Sequence, residues 1–245
     1  NYTMKTILIT GLLATLSFGQ SLFISEYIEG SSNNKALEIY NTTGSTVNLA
    51  GYELWRIANG GDWDEGETNA VDLSSYGTIS VGDVFVICNS SIAEEYSSTC
   101  DVTGTDITFY NGDDAIGLAY NGNLIDAVGE EGSDPGTGWA VAGVENATKE
   151  HTLVRKLSVT DGNTNWGSSA GNNADNSEWV VFDQNTFDYL GSHGELPEIE
   201  GCMDEAAANY DPNASIPCDP DCCQYASAIT IHDIQYSNDI GSGEY

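Results

Sequence analysis

Basic residues are scarce in this chain. Among 245 residues, 6 are lysine or arginine and 38 are aspartate or glutamate, giving a formal net charge of -32. Such a surface repels phosphate backbones, so the composition argues against direct nucleic-acid binding by this segment. It suits a salty medium, or divalent cations that bridge carboxylates. An acidic surface that serves only solubility is the simpler alternative.

Catalytic signatures are also missing. The three histidines, His151, His193 and His232, stand outside any HExxH, GxSxG, phosphate-loop or Cys/His nucleophile pattern. Acidic pairs are frequent, but a chain this acidic contains such pairs by chance. We therefore predict no catalytic residue and no enzymatic activity for this chain. A self-contained hydrolase with an unfamiliar site is the least favoured alternative.

Long hydrophobic runs are confined to the N-terminus. Residues 4–19 combine Lys5, an apolar stretch from Ile7 to Phe18, and small residues at its end, which is the pattern of a secretory signal. The stretch is too short to span a bilayer. We predict upstream residues and a signal peptide over 1–19, cleavage before Gln20, no transmembrane segment, and a secreted or cell-surface location. The alternative is a buried first helix.

Cysteine is infrequent and unevenly placed. Two cysteines bracket one short loop and four lie near the C-terminus: Cys88, Cys100, Cys202, Cys218, Cys222 and Cys223. In an exported chain an even number of cysteines favours disulfides over thiolate chemistry.

Short alternating apolar runs are abundant. Hydrophobic residues make up 40% of the chain, enough for a packed core, and 27 glycines supply turns between short strands. The predicted strands are Leu22–Ile28, Ala36–Asn41, Tyr52–Ile57, Val84–Cys88, Asp106–Phe109, Ala115–Tyr120, Leu124–Val128, Thr152–Lys156 and Trp179–Phe182. Asn121-Gly122 predicts a tight hairpin. We find no convincing amphipathic helix, except for one possible turn at Ile92–Tyr96. The pattern predicts an all-β antiparallel sandwich over 20–193.

Alternation also predicts which side chains face the core. The inward positions are Leu37, Ile39, Leu54, Val84, Val86, Ile116, Leu118, Ile125, Val128, Leu153, Trp179 and Val181. Trp55, Trp139 and Trp179 suit the core or its ends. An exposed glycan- or polymer-binding platform is the alternative use of these aromatics.

Several separated runs resemble a known family. They are FISEYIEGSSNNKALEIYN from Phe23, NLAGYELWR from Asn48, FYNGDDAIGLAYNGNLIDAVGEEGSDPGTGW from Phe109, HTLVRK from His151 and NSEWVVFDQNTFDYLGSH from Asn176. Together they resemble the lamin-tail-type domain of secreted bacterial nucleases and phosphatases. The resemblance implies an immunoglobulin-like sandwich that precedes a catalytic domain, and it assigns no catalytic residue to this chain.

The C-terminal part predicts three further segments. Residues 194–200 read as a linker, and Gly201–Tyr225 resembles a Cys-rich repeat of secreted bacterial proteins, with Met203 in place of the usual Thr. Disulfides should hold so small a unit. Four cysteines allow three pairings. The resemblance favours Cys202–Cys223 with Cys218–Cys222, and a zinc site is the alternative. Residues 226–245 resemble the start of an OB-like domain, here predicted to be truncated.

Two acidic clusters are candidate calcium sites, because hard cations take several loop oxygens. The first is the predicted loop of Asp62, Asp64, Glu65 and Glu67. The second, in the Cys-rich segment, comprises Asp204, Asn209, Asp211, Asp219 and Asp221. The spacing of the first cluster does not match an EF-hand loop.

Two functional hypotheses follow. The favoured one is a non-catalytic binding and positioning module of a secreted nuclease-like hydrolase, whose partner is a downstream catalytic domain outside this chain. The alternative is a stand-alone extracellular adhesion or surface protein, for which calcium is a candidate stabilising ion. Under either hypothesis the sequence does not identify the extracellular ligand, because a fold alone does not determine what a protein binds.

Overall fold

The computed structural model describes residues 22–194, 200–202, 204, 206–210, 214, 216–218 and 222–225. The chain divides into two compact units, with the boundary between Leu196 and Pro197. This boundary falls inside the predicted linker. The predicted signal peptide and the predicted OB-like start lie outside the described residues.

The first unit is built mainly from short strands. They are β1 (Leu22–Glu29), β2 (Lys35–Asn41), β3 (Val47–Asn48), β4 (Tyr52–Ile57), β5 (Val71–Asp72), β6 (Thr78–Ile79), β7 (Val84–Cys88), β8 (Val102–Thr103), β9 (Ala115–Tyr120), β10 (Asn123–Val128), β11 (Thr152–Arg155) and β12 (Trp179–Phe182). Short helices lie between them: α1 (Trp63–Thr68), α2 (Glu94–Ser97), α3 (Trp166–Ala170), and two 3₁₀ turns at Ser74–Tyr76 and Asp106–Thr108.

Two sheets form an immunoglobulin-like β-sandwich. The six-stranded sheet has the order β12-β11-β1-β2-β7-β8, and the four-stranded sheet has the order β10-β9-β4-β5. Neighbouring strands are antiparallel, except for the parallel pair β7–β8. The all-β sandwich predicted from alternation is therefore confirmed.

The main core lies between these sheets. It includes Leu37, Ile39, Leu54, Leu118 and Val128, all fully buried. Trp55, Trp139 and Trp179 are buried as well, which confirms their use as core residues. The Asn121-Gly122 hairpin is confirmed too, since both residues have positive φ and Tyr120 pairs with Asn123 across the turn.

Strand β7 corrects the predicted core. Val84 and Val86 were expected in the main core, but Phe85 and Ile87 point there instead. Val86 and its partly buried neighbour Val84 belong to a second cluster, on the opposite face of the six-stranded sheet. Both faces of this strand are apolar, so alternation alone could not identify the inner one.

A second correction concerns Asp106–Phe109, which was predicted to be a strand. Asp106–Thr108 form a 3₁₀ turn in which the Thr108 amide and hydroxyl both donate to the Thr105 carbonyl. Ile107 and Thr108 are buried consecutively whereas Phe109 is exposed, a pattern that a two-residue period cannot produce. Helices α1 and α3 were also missed, because each spans fewer than two turns.

The second unit contains a parallel pair of strands, β13 (Glu200–Gly201) and β14 (Ile216–Pro217). Its disulfides are Cys202–Cys223 and Cys218–Cys222, the pairings that the resemblance favoured, and Cys88–Cys100 lies in the first unit. Throughout the part of the chain that the structure describes, every helix is too short or too polar to cross a membrane.

Candidate functional site

The first predicted calcium cluster lies in and beside a helix rather than in a loop. Asp62 is the N-cap of α1, and its carboxylate accepts a hydrogen bond from the Glu65 backbone amide at 3.0 Å. The Trp63 amide donates to the Glu131 carboxylate at 3.1 Å. Asp followed three residues later by Glu is a helix-start signal. The sequence therefore contained the information for this helix, although the acidic density suggested a cation loop.

The second predicted cluster is only partly described. Asp204 accepts hydrogen bonds from the Tyr225 hydroxyl and the Ala206 amide, and Asn209 bonds the backbone of Cys222 and Gln224. Asp211, Asp219 and Asp221 lie outside the described residues. Among the residues that are described, no group of three or more His, Cys, Asp or Glu side chains is arranged to hold a metal ion. Calcium binding stays a prediction.

A surface groove of about 520 Å³ lies beside the four-stranded sheet. We call it the Arg56–Phe109 groove. Segments from β4, from the end of α1 through β5, and from the 3₁₀ turn at 106–108 meet there. Its lining residues are Arg56, Thr68, Asn69, Ala70, Val71, Asp106, Ile107 and Phe109.

Two contacts hold Arg56 in this groove. Its side chain is 33% exposed, and Nη1 donates to the Phe109 carbonyl at 3.3 Å and lies 3.5 Å from the Asp114 carboxylate. Burial raises the pKa of Asp114, while the Asn111 amide and Arg56 oppose that rise. Since both described contacts use Nη1, other donors of the guanidinium fork are available to a ligand.

Phe109 supplies an apolar surface to the same groove. It is 51% exposed although both preceding residues, Ile107 and Thr108, are buried. The two buried neighbours anchor the backbone from which the Phe109 ring projects. The groove thus combines one exposed aromatic ring with four polar groups: a guanidinium, an amide, a hydroxyl and a carboxylate. An apolar surface beside a few polar groups is a composition found in binding sites.

A shallower depression contains His151. Its lining residues are Thr137, Glu145, Asn146, Lys149, Glu150, His151, Asp183 and Gln184. The His151 Nδ1 atom lies 2.7 Å from the Lys149 carbonyl oxygen, so this contact orients the ring locally. His151 shares this depression with Glu145, Glu150 and Asp183. If the chain were found to hydrolyse a substrate, these residues would be the first candidates for the acid and base.

The most perturbed ionisable groups are buried and do not line the Arg56–Phe109 groove. Burial raises the pKa of Glu26 and Tyr110 well above their usual ranges, and raises that of Glu38 to about 7. Burial also raises the pKa of Asp126, although Arg155 opposes the shift. Perturbed pKa values can mark functional sites. Sequence reasoning missed these groups, and the available signal was a carboxylate inside an apolar strand, as in FISEYIE.

Comparison with known proteins bears on the sandwich. Residues 17–132 match the family model of the Lamin Tail Domain. This range includes β1 to β10, and the strands β11 and β12 lie beyond it. No curated protein and no solved structure gave a match. The matched part of the first unit is therefore similar to a lamin tail domain, in agreement with the β-sandwich fold.

Proposed function

We propose that this chain is a non-catalytic binding and positioning module of a secreted nuclease-like hydrolase. The proposal rests on one observation: the carboxylates with strongly raised pKa values and the open groove lie in different places. The carboxylates whose pKa values are most strongly raised, Glu26 and Glu38, are buried, whereas the open Arg56–Phe109 groove presents an aromatic ring beside hydrogen-bonding side chains. An open surface of this composition favours binding over acid–base chemistry.

The ligand of the groove is best matched by a neutral, hydroxyl-rich polymer such as an uncharged polysaccharide. Its CH faces can lie against the Phe109 ring, and its hydroxyls can pair with Arg56, Asn69 and Asp106. The net charge of -32 disfavours anionic polymers. In this role the module would hold a hydrolase close to an extracellular matrix.

Affinity electrophoresis through gels containing soluble neutral polysaccharides tests this function. We expect retardation of the exported chain, and at least tenfold weaker retardation for Phe109→Ala and Arg56→Gln. Tyr120→Ala is the matched control, since Tyr120 is an exposed aromatic outside the groove. Equal retardation of all variants would contradict binding in the groove.

The hydrolase context needs separate tests. The exported chain should begin at Gln20, and it should not cleave DNA, RNA or a phosphomonoester in magnesium or calcium buffer. Turnover that is lost in His151→Asn would overturn the non-catalytic role. Reading the gene beyond the Tyr245 codon separates the two hypotheses, because a nuclease or phosphatase domain would favour the hydrolase and further surface repeats would favour an adhesion protein.

A further inference from the structure

Residues 183–193, which we call the strap, lie across the outer face of the six-stranded sheet. The Thr152 hydroxyl on β11 donates to the Thr186 carbonyl at 3.0 Å, and Leu190 packs in the second apolar cluster with Val86. Phe187 stacks on Tyr96 with ring centroids 3.8 Å apart. The strap thus closes a small core of its own, separate from the main core.

Two carboxylates are buried beneath this strap. Glu26 on β1 and Glu38 on β2 are cross-strand partners in the sheet register, and each is 1% exposed. Glu38 accepts hydrogen bonds from the Ser25 hydroxyl and, from the strap itself, the Gly191 amide, each at 2.7 Å. Both carboxylate oxygens of Glu26 are buried without a hydrogen-bond partner among the described residues.

The charged groups facing the pair increase the cost of its ionisation. Asp188 on the strap acts on Glu26, and Asp101, before β8, acts on Glu38; both are acidic. His193, at the end of the strap, packs on Phe23 and Tyr40, and burial lowers its pKa to about 4, so it is neutral at ordinary pH.

The buried cations of the described residues, Lys35 and Arg155, are already paired, Lys35 with Glu29. Arg155 on β11 lies over the Phe23 ring, at 5.7 Å from its centroid, but bonds Asp126 and Glu178. An unpaired buried carboxylate strongly favours its protonated form. Its cross-strand neighbour Glu38 raises the cost of ionising Glu26 further, because two neighbouring carboxylates repel each other when both are charged.

We propose that the strap is a proton-operated latch, held closed while Glu26 and Glu38 carry protons and released when they ionise. This inference is independent of the groove and its ligand. Burial raises the pKa of both groups in the folded chain, that of Glu38 to about 7 although hydrogen bonds from Ser25 and Gly191 oppose the rise. Their contribution to stability is therefore present below the unfolded value of 4.5 and is lost as each group ionises at higher pH, for Glu38 as the pH rises through about 7.

Hydrogen exchange of the full exported chain, read by mass spectrometry at pH 5.5 and pH 8.5, tests the latch. After correction for intrinsic exchange rates, we expect protection of peptides covering 183–193 to fall by roughly tenfold or more at the higher pH. Peptides covering β9 and β10 serve as the internal reference and should not change. Glu26→Gln combined with Glu38→Gln should remove the pH dependence, and Glu145→Gln, at an exposed position, should keep it.

Three results would overturn the latch. One is equal strap protection at both pH values, and another is a pH dependence that survives in the double variant. The third is calcium-dependent protection at pH 8.5 that Glu26→Gln abolishes, because the pair would then be a cation site. If the double variant fails to fold, the pH profile of the wild type and of the single variant Glu26→Gln still tests whether ionisation releases the strap.

Discussion

Buried polar side chains fasten the strands to one another at the level of single residues. The Tyr110 hydroxyl lies 2.7 Å from the Ile28 carbonyl and 2.8 Å from the Ala36 carbonyl, so it bridges β1 and β2. The ring also stacks on Tyr27, with centroids 4.7 Å apart. This single hydroxyl therefore joins the packed core to the main chain of the six-stranded sheet.

We expect Tyr110→Phe to lower the free energy of unfolding by about 1–3 kcal/mol, because it removes a buried hydrogen-bond donor from two carbonyls. Urea denaturation with an unchanged m-value would measure this. Tyr120→Phe, on an exposed ring, should stay within about 0.5 kcal/mol of the wild type. Similar losses in both variants would show that the Tyr110 hydroxyl has no special role.

A buried ion pair joins the two sheets. Arg155 on β11 and Asp126 on β10 are fully buried and 2.6 Å apart, and the guanidinium lies 4.0 Å from the centroid of the Trp179 ring. Asp126 also accepts the amides of Ile24 and Asn163. The pair is thus enclosed by hydrogen bonds, as a buried charge requires.

Asp126→Asn should destabilise the first unit by about 3–5 kcal/mol, because the charge of Arg155 would remain buried with one carboxylate partner fewer. Thermal unfolding followed by circular dichroism would detect the shift. Glu178→Gln is the comparison, since the Glu178 side chain is 25% exposed and its loss should have a clearly smaller effect. The reverse order of the two variants would contradict this assignment.

At the level of elements, the Cys88–Cys100 disulfide closes the loop that supports the strap. The two cysteines are 12 residues apart, and Tyr96, within the loop, stacks on Phe187. Cys88 also belongs to the second apolar cluster. Loop and strap therefore depend on each other for packing.

Replacing Cys88 and Cys100 together by alanine should lower the free energy of unfolding by about 3 kcal/mol, the value that chain entropy gives for a loop of this length. It should also increase proteolysis within 183–193, because Phe187 loses a fixed stacking partner. Removing Cys218 and Cys222 is the control, as that pair lies in the second unit. An unchanged first unit in the Cys88 and Cys100 variant would refute the coupling.

The elements also show what the sequence could and could not predict. Strands β9 and β12 begin and end at the predicted residues, because polar and turn-forming residues flank their apolar runs. Strand β7 is apolar on both faces and was assigned the wrong one. The strap could not be predicted, since only the tertiary fold places Leu190 against Val86.

The candidate site was less predictable than the fold. Arg56 and Phe109 are 53 positions apart, and the exposure of Phe109 depends on a 3₁₀ turn that had been predicted as a strand. The acidic residues that drew attention were instead a helix cap and its neighbours. The high local density of acidic residues suggested a cation loop and did not reveal the helix cap. It carried no information about a groove formed by residues far apart in the sequence.

For the whole molecule, the net charge of -32 dominates. Repulsion between carboxylates opposes the compact state, and added salt screens it. We expect the melting temperature to rise by a few degrees between low and moderate sodium chloride. Calcium chloride at equal ionic strength should add a further rise if either acidic cluster binds the ion, and no further rise would contradict both calcium predictions.

The sandwich is proposed to bind its ligand through the Arg56–Phe109 groove. Chemical-shift mapping of the ¹⁵N-labelled exported chain during titration with a neutral oligosaccharide tests this most directly. We expect shifts confined to the amides of 68–71 and 106–109 and to Arg56, and their loss in Phe109→Ala. Saturable chemical-shift changes elsewhere in the chain, or no changes with any neutral oligosaccharide, would contradict ligand binding in the groove.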